Sequence, residues 1–165
     1  MTLEQTVEYL KRQCRRFDEK VIYDTDRRGE EFCELLIRNE SQPMLPLTLS
    51  VTDDGCSISV GQMEDITDND SMTPDQALAA IDDIINDRII FVLAYKDKDD
   101  IGFGSPYFSR IFAITGRDDD MTDEYNEFIE KISRPLTPFA RKFTPLKGRF
   151  VICNFSGAIS QTITR

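Results

Sequence analysis

Apolar residues recur at alternating four and three residue spacing near the start of the chain: Leu3, Val7, Leu10, Cys14 and Phe17 line one side of a helix. Thr2 caps it, and Gln5 three residues on completes a capping box. Lys11, Arg12, Arg15 and Arg16 gather at its carboxyl end, where positive charge complements the helix dipole. The hydrophobic period then changes to two. Residues 20–25 and 30–38 read as a hairpin about Asp26-Arg27-Arg28-Gly29, with Cys33, Leu35 and Ile37 on one face of the second strand. Leu45, Leu47, Leu49 and Val51 alternate with Pro46, Thr48 and Ser50. After the turn Asp53-Asp54-Gly55, Cys56, Ile58 and Val60 alternate with Ser57 and Ser59. Such a sheet is antiparallel and buried on one face, with hydroxyls and charge on the other, open to water or to a partner.

From Gln62 to Met72 the chain is polar and acidic and reads as a loop. Thr73-Pro74-Asp75-Gln76 is a second capping box with proline at the first helical position, and Leu78, Ile81, Ile84 and Ile85 form the apolar face of the helix that follows. Ile89–Tyr95 is unbroken β-branched, aromatic and aliphatic sequence, the composition of a central strand covered on both faces. A loop through Asp97, Asp99, Asp100, Gly102, Gly104 and Pro106 leads to a strand over 107–115. A third helix starts at 118–120, carries Tyr125, Phe128, Ile129 and Ile132, and ends at Pro135. Thr137-Pro138 opens one short helical turn through Phe143, and 149–155 with 158–164 form a last hairpin around Ser156-Gly157. Strands in runs, interrupted by helices, predict an α+β fold: a single domain over 1–165, mainly antiparallel sheet, with an N-terminal helix and two further helices packed on it.

Composition agrees with one such core. The chain has 165 residues, 40% of them apolar and 30% charged, which is enough to bury a core without disulfides. Its four cysteines, Cys14, Cys33, Cys56 and Cys153, form no C-x-x-C pair and fall in phase with apolar neighbours, so they read as reduced thiols packed as small hydrophobes. The opening MTLEQTVEYLKR lacks the basic and apolar regions of a secretory signal, and the longest apolar run is too short to span a bilayer. The expectation is a cytoplasmic protein with no membrane association.

The absence of histidine removes the Ser-His-Asp and Cys-His nucleophile pairs and the residue best suited to proton transfer at neutral pH. A calcium loop needs a closing glutamate at its twelfth position, whereas the series from Asp97 reaches Phe108 there and the series from Asp118 reaches Ile129. Gly102-Phe103-Gly104-Ser105-Pro106 lacks the lysine and the following helix of a phosphate loop. No metal and no cofactor are expected, and an enzyme using carboxylates or a cation is the least supported reading.

Charge changes the picture most. The net charge of −10 opposes non-specific nucleic-acid binding, and it is unevenly spread. Residues 62–124 hold 16 acids against 5 bases, a net of −11, while 131–165 hold 7 bases and no acid, a net of +7. Either Lys131, Arg134, Arg141, Lys142, Lys147 and Arg149 offset the acidic middle internally, or two faces of opposite sign remain and the acidic one binds a basic protein partner. The second account selects Glu64, Asp65, Asp68, Asp70, Asp97, Asp99 and Asp100 as partner-binding residues. The oligomeric state is left open.

Ser57-Ile58-Ser59-Val60-Gly61-Gln62, the acidic loop after it, the helix ALAAIDDIINDRI and the strand IFVLAY together resemble small acidic bacterial immunity-type and uncharacterised α+β proteins linked to contact-dependent toxins. The resemblance covers about residues 56–95 and rests on a strand-helix-strand pattern. Such relatives often carry tryptophan and histidine just after the glycine, where this chain has Gln62, Met63, Glu64 and Asp65. The resemblance implies a non-enzymatic inhibitor of a basic protein. Small acidic α+β proteins also resemble dimeric secretion chaperones, which hold a client along exposed sheet.

Overall fold

The computed structural model describes residues 1–27, 29–43, 45–61, 71–96, 108–113, 119–135, 137 and 148–164. Among them run three helices and eight strands, and every strand pairing is antiparallel. The α+β class predicted from the pattern is therefore what the chain adopts. The strands are shared between two four-stranded sheets, and the chain divides into two compact units, Met1–Asp83 and Ile84–Arg165.

In the first unit, α1 (Leu3–Gln13) starts at the predicted capping box: the Gln5 amide donates to the Thr2 hydroxyl at 3.3 Å, and the Thr2 amide donates back to Gln5 Oε1 at 3.1 Å. Val7 and Leu10 are buried. The helix stops short of the apolar stripe, because Cys14 turns to extended backbone while its amide still reaches the Leu10 carbonyl. Continuing it would stack Lys11 over Arg15 and Arg12 over Arg16, two like-charge pairs at i,i+4 spacing. Lys11 instead donates to the Glu19 carbonyl at 2.7 Å, and Phe17 is buried from the segment beyond the helix.

The first sheet runs β1 (Val21–Thr25), β2 (Glu31–Ile37), β3 (Leu47–Thr52) and β4 (Gly55–Val60) in sequence order. Its register places Cys33, Val51 and Cys56 in one row, Leu35, Leu49 and Ile58 in the next, and Ile37, Leu47 and Val60 in a third. All nine are buried, and α1 packs on the β2–β3 part of the sheet. The opposite face carries Glu34, Ser50 and Ser57 in one row and Leu36, Thr48 and Ser59 in another; these positions are half-buried. At the β3–β4 turn Gly55 has φ +145°, and a Cβ there would lie 2.4 Å from Ser71 Oγ and 2.8 Å from the Met72 carbonyl oxygen. That close approach lets Cys56 and Met72 exchange two backbone hydrogen bonds of 2.9 Å, which bridges the start of the outer edge of β4.

Helix α2 (Pro74–Ile85) starts at the second predicted capping box, with the Thr73 amide 2.9 Å from Gln76 Oε1. Its buried stripe is Ala77, Ile81 and Ile84, with Leu78 and Ile85 half-buried. The face is thus turned slightly from the predicted one, because small Ala77 takes the innermost position.

In the second unit the sheet order is β6 (Phe108–Ala113), β5 (Ile89–Tyr95), β7 (Arg149–Cys153) and β8 (Ser160–Thr164). The final hairpin joins the side of β5 away from β6. Ile90, Val92 and Ala94 on one face of β5 share a core with Phe112, Phe150 and Ile152 and with Phe128 and Ile132 of α3 (Asp119–Ser133). Phe91, Leu93 and Tyr95 on the other face are buried too, so β5 is covered on both sides as its composition predicts. Asp87, at φ 59° between α2 and β5, accepts the Ser156 amide from the β7–β8 turn at 2.8 Å. Aspartate tolerates this left-handed conformation better than most side chains. The predicted helical turn after Thr137 lies outside the described residues.

Candidate functional site

All seven residues selected from charge, Glu64, Asp65, Asp68, Asp70, Asp97, Asp99 and Asp100, lie outside the described residues, as do Arg141, Lys142 and Lys147 of the basic segment. The described acidic surface is a different one, built on the β1–β2 hairpin.

Among the described residues strand β1 is an edge, hydrogen-bonded only to β2. The Asp26 amide donates to the Glu30 carbonyl at 2.9 Å and closes the hairpin. Antiparallel pairing alternates from there, so Ile22 and Asp24 bond to β2 while Val21, Tyr23 and Thr25 direct their main-chain groups away from it. The Thr25 amide takes the Asp24 carboxylate at 2.8 Å, which fits this phase. Two apolar side chains stand out from the strand: Ile22 is 43% exposed and Tyr23 58%. Tyr23, Asp24, Thr25, Glu31 and Phe32 line a shallow depression of about 290 Å³. Desolvation, followed by the electrostatic influence of Cys33, Glu4 and Glu8, raises the Tyr23 phenol above its ordinary range. Both helix carboxylates therefore act on the ring, and the surface combines exposed aromatic and aliphatic groups with acids.

Sequence reasoning assigned β1 as a strand but missed this surface. The available signal was Val21-Ile22-Tyr23-Asp24-Thr25, apolar at both odd and even positions on a strand with too few partners to cover it.

A second depression, of about 210 Å³, is lined by the amino ends of α1 and α2, Ser71 and the Asp53-Asp54 turn. Helix amino ends favour anions, but the two carboxylates oppose them. Among the described residues no group of three or more histidine, cysteine, aspartate or glutamate side chains is arranged to hold a metal. No described helix is long and apolar enough to cross a membrane.

Three of the four thiols sit where the pattern placed them, while Cys14 lies just past the end of α1 rather than packed on its apolar stripe. Cys33, Cys56 and Cys153 are buried, and burial pushes each up to about 11. Cys33 and Cys56 occupy strands separated by β3, roughly 10 Å apart at two strand spacings, which is beyond disulfide reach. Cys14 is half-buried. Native labelling at pH 7.5 (about the assay pH at which ordinary thiols begin to react) should therefore modify Cys14 first and leave the other three until denaturant is added. Fast native modification of Cys33, Cys56 or Cys153, read by peptide mass spectrometry, would reopen thiolate chemistry.

Compared with known protein families, with curated proteins and with solved structures, the chain matches none.

Proposed function

We propose that the chain is a non-enzymatic cytoplasmic binding protein whose acidic surface recognises a basic protein partner, in the manner of an immunity protein or other inhibitor. The observation that carries this reading is the charge: −10 overall, with a net of −11 concentrated in residues 62–124. The described hairpin surface supports it, since Asp24 and Glu31 line a depression with Tyr23 while Glu4 and Glu8 act on the same ring. Opposed potentials of this kind raise association rates and reject like-charged competitors.

The test begins with the basic protein recovered and identified from the native cell. Converting Glu64 to Gln and Asp65, Asp68, Asp70, Asp97, Asp99 and Asp100 to Asn should slow its association and flatten the salt dependence while the melting temperature holds. Each single change should cost no more than about 0.5 kcal/mol. Lost stability with unchanged association kinetics would instead show that the carboxylates neutralise the basic carboxyl-terminal segment within the chain.

A further inference from the structure

We infer that β1 is a docking edge, taking a basic, extended segment of the partner as a fifth strand of the first sheet; this rests on the acidic-surface reading above and assigns it a binding mode. An unpaired edge is a template for another strand, and proteins ordinarily blunt such edges with proline, bulges, inward charge or a covering segment. In this sheet the β4 edge is bridged by Met72 at Cys56. At β1 neither proline nor lysine interrupts Val21–Thr25, and the strand presents Ile22 and Tyr23 to solvent.

Main-chain geometry supplies affinity in this mode, and side chains on alternate faces supply selectivity. Val21 and Tyr23 offer outward amides and carbonyls, and Thr25 offers its carbonyl, while its amide is held by Asp24. On the Tyr23 side an incoming residue meets Glu31, which stands across from Thr25 and lines the same depression. On the opposite side Asp24 stands across from Phe32, and Ile22 across from Glu34. Acids thus border both faces of the added strand, next to apolar surface that suits lysine or arginine stems. A second copy of the chain fits less well, because pairing two β1 strands would set two edges that both carry Asp24 and Glu31 against each other.

The probe is a blocked peptide of about seven residues, alternating lysine and valine, long enough to cover a strand of this length. Titrated into the full chain, it should shift the amide resonances of Val21, Tyr23 and Thr25. Two controls should bind at least about tenfold more weakly, a difference well outside fitting error: the same peptide N-methylated on alternate amides, and its glutamate-valine counterpart. Tyr23→Pro should weaken binding similarly with the melting temperature retained, because it removes an outward amide that β2 does not use and proline is tolerated on edge strands. Binding indifferent to both N-methylation and Tyr23→Pro overturns strand addition yet leaves the acidic-surface reading standing. No binding of the lysine-valine peptide, together with unchanged kinetics in the Asp→Asn set, removes both. Self-association abolished by Tyr23→Pro, without peptide binding, would make the occupant a second copy and likewise overturns the inference.

Discussion

Replacing Phe112 with alanine should lower the free energy of unfolding by about 3–5 kcal/mol, the range for emptying a buried aromatic site. The ring is 1% exposed in the core that joins α3 to the second sheet. It meets Tyr125 edge-on, with centroids 5.4 Å apart and planes at 74°, and Phe128 at 5.5 Å. Such pairs add about 0.5–1.5 kcal/mol beyond the area they bury. The cavity would resist collapse, because Val92, Ile90 and Phe150 around it are fixed by the β6–β5–β7 ladders. Phe112→Leu keeps much of the volume and should lose under half as much. Urea unfolding of both variants checks this, with amide exchange in α3 as a local reading. A loss below about 1 kcal/mol for Phe112→Ala, the level of an ordinary point mutation, would show that this ring does not hold α3 to the sheet.

Much of the fold was legible because period-two alternation specifies both a face and a register. Leu47, Leu49 and Val51 pair with Val60, Ile58 and Cys56 as the Asp53-Asp54-Gly55 turn requires, and a one-residue slip would turn every one of them to the other face. Ile89–Tyr95 was legible for a different reason, since only a strand covered on both sides can carry seven apolar residues in a row. Alternation does not say which strands become neighbours over long separations, so the division into two sheets was outside its reach. The end of α1 does not follow from the apolar stripe, because Cys14 turns to extended backbone and Phe17 still reaches the core from the segment beyond the helix.

The hairpin surface was hidden by averaging. Counted along the chain, Glu4, Glu8, Asp24 and Glu31 are diluted by the bases of α1 and the residues after it. Distance in sequence hides that Glu4 and Glu8 influence the Tyr23 ring while Asp24 and Glu31 line the depression beside it. Charge per segment therefore finds acidic stretches and overlooks acids brought together from distant residues, and it is silent on Ile22 and Tyr23, which stand exposed on an edge strand.

Raising the pH from 9 to 11, the interval set by the thiols, should strip stability from the protein more steeply than any single core substitution. Cys33, Cys56 and Cys153 each ionise near 9.0 when exposed and only at about 11 in the fold, with burial as the leading cause. Below the lower value the thiols are protonated in both states, and their contribution to stability is complete. Between the two values the unfolded chain releases protons that the folded chain retains, so it binds fewer, and unfolding becomes more favourable as pH rises. Averaged across the interval each thiol contributes a slope of about 1 kcal/mol per pH unit, and three together about 3 kcal/mol per unit. The loss levels off once the folded thiols ionise as well. Tyr125, raised by burial, adds to the loss above its ordinary value of 10.0, so the thiols must be isolated by substitution. Cys153→Ala should begin less stable through its small cavity, then lose stability less steeply by about 1 kcal/mol per pH unit. Urea unfolding of both proteins under reducing conditions, stepped across this interval, measures the two slopes. Parallel slopes would mean that the Cys153 thiol ionises as readily in the fold as in the unfolded chain, and that its burial does not govern the alkaline limit.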